Sequence, residues 1–234
     1  MRFPMHQRLA VLALGSTLLC AARGDRPNIL LFFVDDMGYG DCRVYNTNSL
    51  VPMPHLESMA EDGMTFLDAH TPAALCAPNR YSIMCGNYSW RGRNALGTWH
   101  FNGNSTFLDG QKTIAAVLQD NGYHTAMFGK SHLGGLVYPK DTNATFNTAN
   151  TADNWQEMDF TLPLTNGPHA QGFDYSFLPF NGIQGRPYAF FENDLLVGDA
   201  SNLMVWAAGT YPNTNGDSVI MGEGFGTPDW KSNE

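Results

Sequence analysis

This 234-residue chain predicts an α/β fold with a mixed, mostly parallel sheet flanked by helices. Three observations lead there. Within residues 28–34, Ile-Leu-Leu-Phe-Phe-Val is an unbroken apolar run, too short for most helices and rich in strand formers. It reads as a central strand buried on both faces. Residues 53–62 place Met53, Leu56, Met59 and Ala60 on one helical face, with Gly63 as a stop. Residues 113–121 repeat the helical pattern and lead into a second strand candidate at 123–128.

The elements justify themselves in chain order. Residues 1–24 open with Arg2 and Arg8, run apolar from Leu9 to Cys20, and close on small residues. That layout predicts a cleaved secretory signal peptide, and the run is short for a membrane span. Residues 25–234 then form one domain. The strand at 28–34 delivers Asp35-Asp36-Met37-Gly38-Tyr39-Gly40-Asp41 at its carboxyl end. Open α/β sheets bind ligands at that end, and adjacent carboxylates suit Ca²⁺ or Mg²⁺. A solvated acidic turn is the alternative. Residues 65–69 are a short strand candidate before His70-Thr71-Pro72.

Next comes Leu75-Cys76-Ala77-Pro78-Asn79-Arg80-Tyr81-Ser82-Ile83-Met84-Cys85-Gly86. Pro78 suits the first turn of a helix, where its missing N–H costs nothing. Cys76 then sits at the helix N-terminus, where N–H groups and the dipole favour an anion. Arg80 lies about one turn on, near enough to pair with that anion. The alternative is a structural cysteine, bridged to Cys85, beside a surface arginine.

Residues 87–110 are polar, aromatic and rich in Asn and Gly, an exposed connection. In 113–121 the apolar face is Ile114, Ala115, Val117 and Leu118, ended by Asn121-Gly122. The strand at 123–128 delivers Gly129-Lys130-Ser131-His132-Leu133-Gly134. On an extended segment Lys130 and His132 face the same side. A cation beside a proton carrier suits phosphate or sulfate ester chemistry; a surface Lys and a loop His are the alternative. Residues 138–165 read as an irregular loop. Residues 221–226 are glycine-rich but lack the lysine of a phosphate loop.

Net charge is −9, and removing residues 1–24 leaves 10 basic against 22 acidic residues. That excludes general nucleic-acid or anionic-membrane binding and leaves room for a small anion held by local cations. With 43% hydrophobic residues the chain can build a core. Beyond residue 24 the cysteines are Cys42, Cys76 and Cys85, an odd number for a secreted protein. Asn87-Tyr88-Ser89, Asn104-Ser105-Thr106 and Asn143-Ala144-Thr145 are glycosylation sequons, in keeping with a secretory route.

Cys76-x-Pro78-x-Arg80 resembles the signature of the type I sulfatases, with Asn79 where serine is common. Residues 26–41 resemble the start of the mature sulfatase domain, and of the wider alkaline-phosphatase-like superfamily. The second sulfatase signature is matched at Gly122, Tyr123, Thr125, Ala126, Gly129, Lys130, His132, Leu133 and Gly134, with Ser131 where Trp is frequent. Gly172-Phe173-Asp174 and residues 187–194 resemble later family segments. Gly182 stands near where a sulfate-binding serine often lies.

The resemblance implies hydrolysis of a sulfate ester. Cys76, converted to formylglycine, is the implied nucleophile, with Arg80, Lys130 and His132 as catalytic partners. Asp35, Asp36 and the oxygen at position 76 are the implied Ca²⁺ ligands. If Cys76 becomes an aldehyde, Cys42 and Cys85 are left and can pair. Implied partners are a formylglycine-generating enzyme and a sulfated small molecule or carbohydrate. The implied location is extracellular or lysosomal, without stable membrane insertion. The resemblance covers only the first half of a sulfatase, so the chain is expected to be a fragment lacking later site residues. A phosphatase or phosphodiesterase of the superfamily, or a non-catalytic sulfatase-like glycoprotein, are the other readings.

Overall fold

A computed structural model of the chain describes residues 26–94, 105–142, 155–182, 185–212, 218–221 and 223–230. The segment read as a signal peptide and the sequon asparagines Asn104 and Asn143 lie outside the described residues. The chain divides into two compact units, residues 1–67 and 68–234.

In the first unit, helix α1 (Pro54–Asp62) opens on a proline, and the Glu57 carboxylate accepts from the Met53 N–H at 3.4 Å. Gly63 ends it, because a Cβ there would lie 2.8 Å from the Met59 carbonyl oxygen. Two expected strands do not form. Residues 28–34 and 65–69 carry no strand, and Leu30 is 79% and Phe32 73% exposed. An all-apolar strand is stable only with hydrogen-bonding neighbours and cover on both faces. No described residue of this unit forms a strand to pair with it. Leu56 and Met59 on α1 are exposed for the same lack of cover, and Cys42 is the one buried side chain among the described residues of this unit.

The second unit holds the sheets. Helices α2 (Cys76–Cys85) and α3 (Ile114–Asp120) precede strand β1 (Ala126–Phe128). A ladder of β2 (Tyr138–Pro139) and β3 (Met158–Asp159) follows. Strands β4 (Tyr175–Pro179), β5 (Phe190–Glu192) and β6 (Leu195–Leu196) complete a mixed sheet with order β1-β4-β5-β6. β1 runs parallel to β4, with Met127 opposite Ser176; the β4–β5 and β5–β6 pairs are antiparallel. Asn193 and Asp194 turn β5 into β6 with φ of 49° and 68°, the positive pair that a two-residue hairpin requires. β7 (Met204–Trp206) pairs with β10 (Gly224–Gly226), and β8 (Gly209–Pro212) with β9 (Ser218–Met221).

Among the described residues two larger apolar clusters hold this unit, beside a smaller one around Tyr188 and Trp230. Leu178, Phe180, Ala189, Phe191 and Phe225 pack with Val137, Met158, Phe160 and Leu164. The segment 138–165 is thus more than an irregular loop, since three of these core residues come from it. The other larger cluster joins Ala77, Tyr81 and Met84 of α2 to Phe107, Ala115 and Leu133. Phe107 and Thr106 are buried, so 87–110 is not exposed throughout. On α3 only Ala115 is buried, while Ile114 and Val117 face out. The three described cysteines, Cys42, Cys76 and Cys85, are free thiols. The Cys85 thiol donates to the Tyr81 carbonyl at 3.1 Å, a turn back along α2.

Candidate active site

Helix α2 begins at Cys76 itself, with Leu75 as an extended N-cap that offers no side-chain acceptor. Pro78 is its third residue. The first-turn N–H groups of Cys76 and Ala77 therefore lack intrahelical acceptors, and Pro78 has no N–H to offer. Asn79 N–H already reaches the Leu75 carbonyl at 3.3 Å. The positive end of a ten-residue helix is thus gathered at the side chain of position 76.

The helix is fixed from its inner face. Tyr81 is fully buried, stacks on Phe107 with ring centroids 5.5 Å apart, and exchanges hydrogen bonds with Gln111 at 2.8 and 3.2 Å. Burial pushes its phenol pKa above the ordinary tyrosine value. Gly86 closes the helix in the left-handed conformation, φ 67°, donating to the Ser82 carbonyl at 2.8 Å.

The loop after β1 meets the start of α2. Cys76 Sγ lies 3.2 Å from His132 Nδ1. The Arg80 guanidinium donates from Nη1 to the Lys130 carbonyl. Sequence reasoning expects Lys130 and His132 on one side of an extended segment. The segment is not extended: His132 has a φ of 55°, and its N–H donates to the Phe180 carbonyl at 2.7 Å. Leu133, fully buried, anchors the same loop in the α2 cluster, and its carbonyl accepts from Thr106 N–H at 3.2 Å. Gly129 N–H reaches the Phe177 carbonyl at 3.2 Å. β4 and its extension therefore set the position of the imidazole.

Ser131 is fully buried between the two, with no hydrogen-bond partner for its hydroxyl among the described residues. Sequence reasoning names Gly182 only as a place without the hydroxyl of a sulfate-binding serine and misses its role beside Lys130. Its φ is 78°, and a Cβ there would lie 2.8 Å from Lys130 Cδ and 3.2 Å from Cε. The bare backbone at 182 is the seat of the lysine stem. A lone glycine carries no such signal in a sequence.

Asp35 and Asp36 lie in the first unit, both exposed, with Asp36 at φ 58°. As adjacent hard carboxylates they have the donor chemistry of Ca²⁺ ligands, but Ca²⁺ takes about 6–8 oxygens. Among the described residues no group of three or more His, Cys, Asp or Glu is placed to hold a metal. No described helix is long and apolar enough to cross a membrane.

What this arrangement does chemically is limited and specific. A nucleophile at 76 would stand on a helix N-terminus, one hydrogen bond from an imidazole and beside a guanidinium. That suits attack on an anionic ester and proton movement at the attacking atom.

Known proteins resemble this chain in sequence and fold. The family model described as Sulfatase matches residues 27–213. The chain is 32% identical over 175 residues to an N-acetylgalactosamine-6-O-sulfatase of Bacteroides thetaiotaomicron, covering 74% of this chain and 30% of the relative. It is 40% identical over 123 residues to arylsulfatase G of Rattus norvegicus, covering 50% of this chain and 22% of the relative. The chain thus spans about a third or less of these relatives' length. A solved structure from work on the metabolism of multiple glycosaminoglycans by Bacteroides thetaiotaomicron superposes with a TM-score of 0.61 at 28% identity. It covers 82% of this chain and 37% of that one.

Proposed function

Because the chain belongs to the sulfatase family, we propose that it takes part in hydrolysing a sulfate ester through residue 76. The observation that carries this is the meeting of Cys76, at the start of α2, with His132 at 3.2 Å and with Arg80 tied to the loop of Lys130. Oxidised to formylglycine by a formylglycine-generating enzyme, Cys76 supplies an aldehyde hydrate: one hydroxyl attacks sulfur and displaces the alcohol, and the other lets the sulfated intermediate expel sulfate and return to the aldehyde.

The remaining residues act around that atom. His132 Nδ1 is within hydrogen-bond reach of the position-76 side chain and moves the proton there. Arg80 and the N–H groups of Cys76 and Ala77 hold negative charge on the sulfate. Lys130, with its stem against Gly182, adds a second cation. Asp35 and Asp36 are the carboxylates offered to Ca²⁺; a bound divalent ion supplies Lewis-acid stabilisation of sulfate oxygens.

A sulfated carbohydrate is the favoured substrate class, since the Bacteroides relative is named for N-acetylgalactosamine 6-O-sulfate and the solved neighbour concerns glycosaminoglycans. A secreted or lysosomal glycoprotein is the matching setting, given the signal-peptide pattern and the sequons. The test is hydrolysis of a small aryl sulfate by the full-length protein and its Cys76→Ser variant. Loss of turnover in the variant is expected; full retention of activity sinks the assignment.

A further inference from the structure

Past the C-terminal end of α2 lies a feature the reaction does not use. Residues Ser89–Arg91 form a 3₁₀ turn, closed by Arg91 N–H to the Tyr88 carbonyl at 3.0 Å and Gly92 N–H to the Ser89 carbonyl at 2.9 Å. It is seated firmly. Gly92 lies against the Tyr81 ring, where a Cβ would come within 2.9 Å of Cζ. Its outward side chains do not serve that seating. Tyr88 is 51% and Trp90 57% exposed, and their rings stack 4.2 Å apart at 8°. Arg91 is exposed beside them, and its guanidinium makes no hydrogen bond or ion pair among the described residues. The Asn87 amide donates to the Cys85 carbonyl at 3.4 Å.

Two large aromatic rings stacked face to face and left open to water present an outer ring face that suits a flat, C–H-bearing surface. Tyr and Trp supply that contact at small entropy cost. An uncommitted guanidinium fork matches the oxygens of a sulfate. The chain carries a net charge of −9, so a polyanion can settle only where a cation is locally free. We propose that Tyr88, Trp90 and Arg91 form an accessory subsite for a sulfated oligosaccharide, a pyranose ring on the aromatic stack and a sulfate on Arg91. The subsite rests on the reading of a sulfated carbohydrate as substrate. Helix α2, ten residues and about 15 Å long, separates it from residue 76. It therefore grips the polymer several sugar units away from the ester that is cut.

The test is calorimetric binding to the full chain carrying Cys76→Ala, so that the probe is not consumed. The probe is a hexasaccharide of alternating uronate and 6-sulfated N-acetylgalactosamine, run beside its desulfated form. Trp90→Ala and Arg91→Ala are each expected to weaken binding by about five- to tenfold. Arg91→Ala also removes the preference for the sulfated probe, and Arg91→Lys keeps part of it. No binding by the parent chain, or unchanged affinity in both variants, overturns the proposal. So does equal loss on both probes in Trp90→Ala with no effect of Arg91→Ala, which marks a neutral-sugar platform. Turnover of a small aryl sulfate by the Cys76 protein is scored separately. Its failure refutes the proposed reaction and leaves the binding result standing.

Discussion

Replacing Gly182 by serine should cripple the site, although it supplies the hydroxyl that related sites often have near this place. The backbone at 182 has a φ of 78°. A side chain in that conformation costs about 1–2 kcal/mol, which lowers stability before any contact is counted. The new Cβ would also lie 2.8 Å from Lys130 Cδ, 3.2 Å from Cε and 3.4 Å from Cγ. Three atoms of one stem are crowded together, so a change at the tip alone does not relieve the clash; the whole lysine must swing. A shift of about 1 Å in a group beside the reacting centre can cost about 10²-fold. The predicted outcome is a lower melting temperature and a fall of about 10²-fold in kcat/KM on an aryl sulfate, with Gly182→Ala falling equally. Lys130→Ala should lose activity to a similar degree while keeping the wild-type melting temperature. Gly182→Ser turning over as fast as wild type, or faster than Gly182→Ala by more than about tenfold, would refute the steric argument.

Three further outcomes follow from the same unit. Asp194 is buried, and loss of water raises its carboxyl pKa above the ordinary value, against the smaller lowering by the His169 N–H. Its stabilising contribution is full below the unfolded carboxylate pKa of about 3.9 and fades as pH rises through the folded value. Asp194→Asn should therefore flatten the decline in melting temperature between acid and neutral pH, and an unchanged slope refutes this. Thr113 caps α3 by accepting from Ala116 N–H at 3.0 Å and donates to the Gln171 carbonyl. Thr113→Ala should cost about 1–2 kcal/mol in urea unfolding; a loss below a few tenths contradicts the cap. Tyr81→Phe breaks the pair with Gln111 under α2 and should cost about 1 kcal/mol, with the Gln111→Leu, Tyr81→Phe double variant regaining part of it.

What the sequence disclosed was mostly local. α2, α3 and β1 were legible because their signals are short-range: a cysteine–proline helix start, the apolar spacing of Ile114, Ala115, Val117 and Leu118, and Asn121-Gly122 before the strand, although β1 begins at Ala126 rather than at 123. The apolar run 28–34 reads as a buried strand, yet it lies exposed, since burial depends on neighbours that local pattern does not encode. The buried place of Phe107, Met158 and Phe160 was hidden in polar stretches for the same reason. At the site, residue types were legible and their support was not. The Phe180 carbonyl that holds His132, and the bare Gly182 under Lys130, arrive from about 50 residues away in sequence through β4. No spacing rule within either motif points to them.

The central claim is that position 76 is the nucleophile and is matured before it works. The most direct measurement is the mass of the peptide carrying residue 76, isolated from protein secreted by a cell that holds the formylglycine-generating enzyme, together with capture by an aldehyde-reactive hydrazide. The account predicts an aldehyde at 76 in the active protein, and none in an Arg80→Ala variant or a Pro78→Ala variant with the maturation signature broken. An unmodified Cys76 thiol in protein that still hydrolyses an aryl sulfate would contradict it.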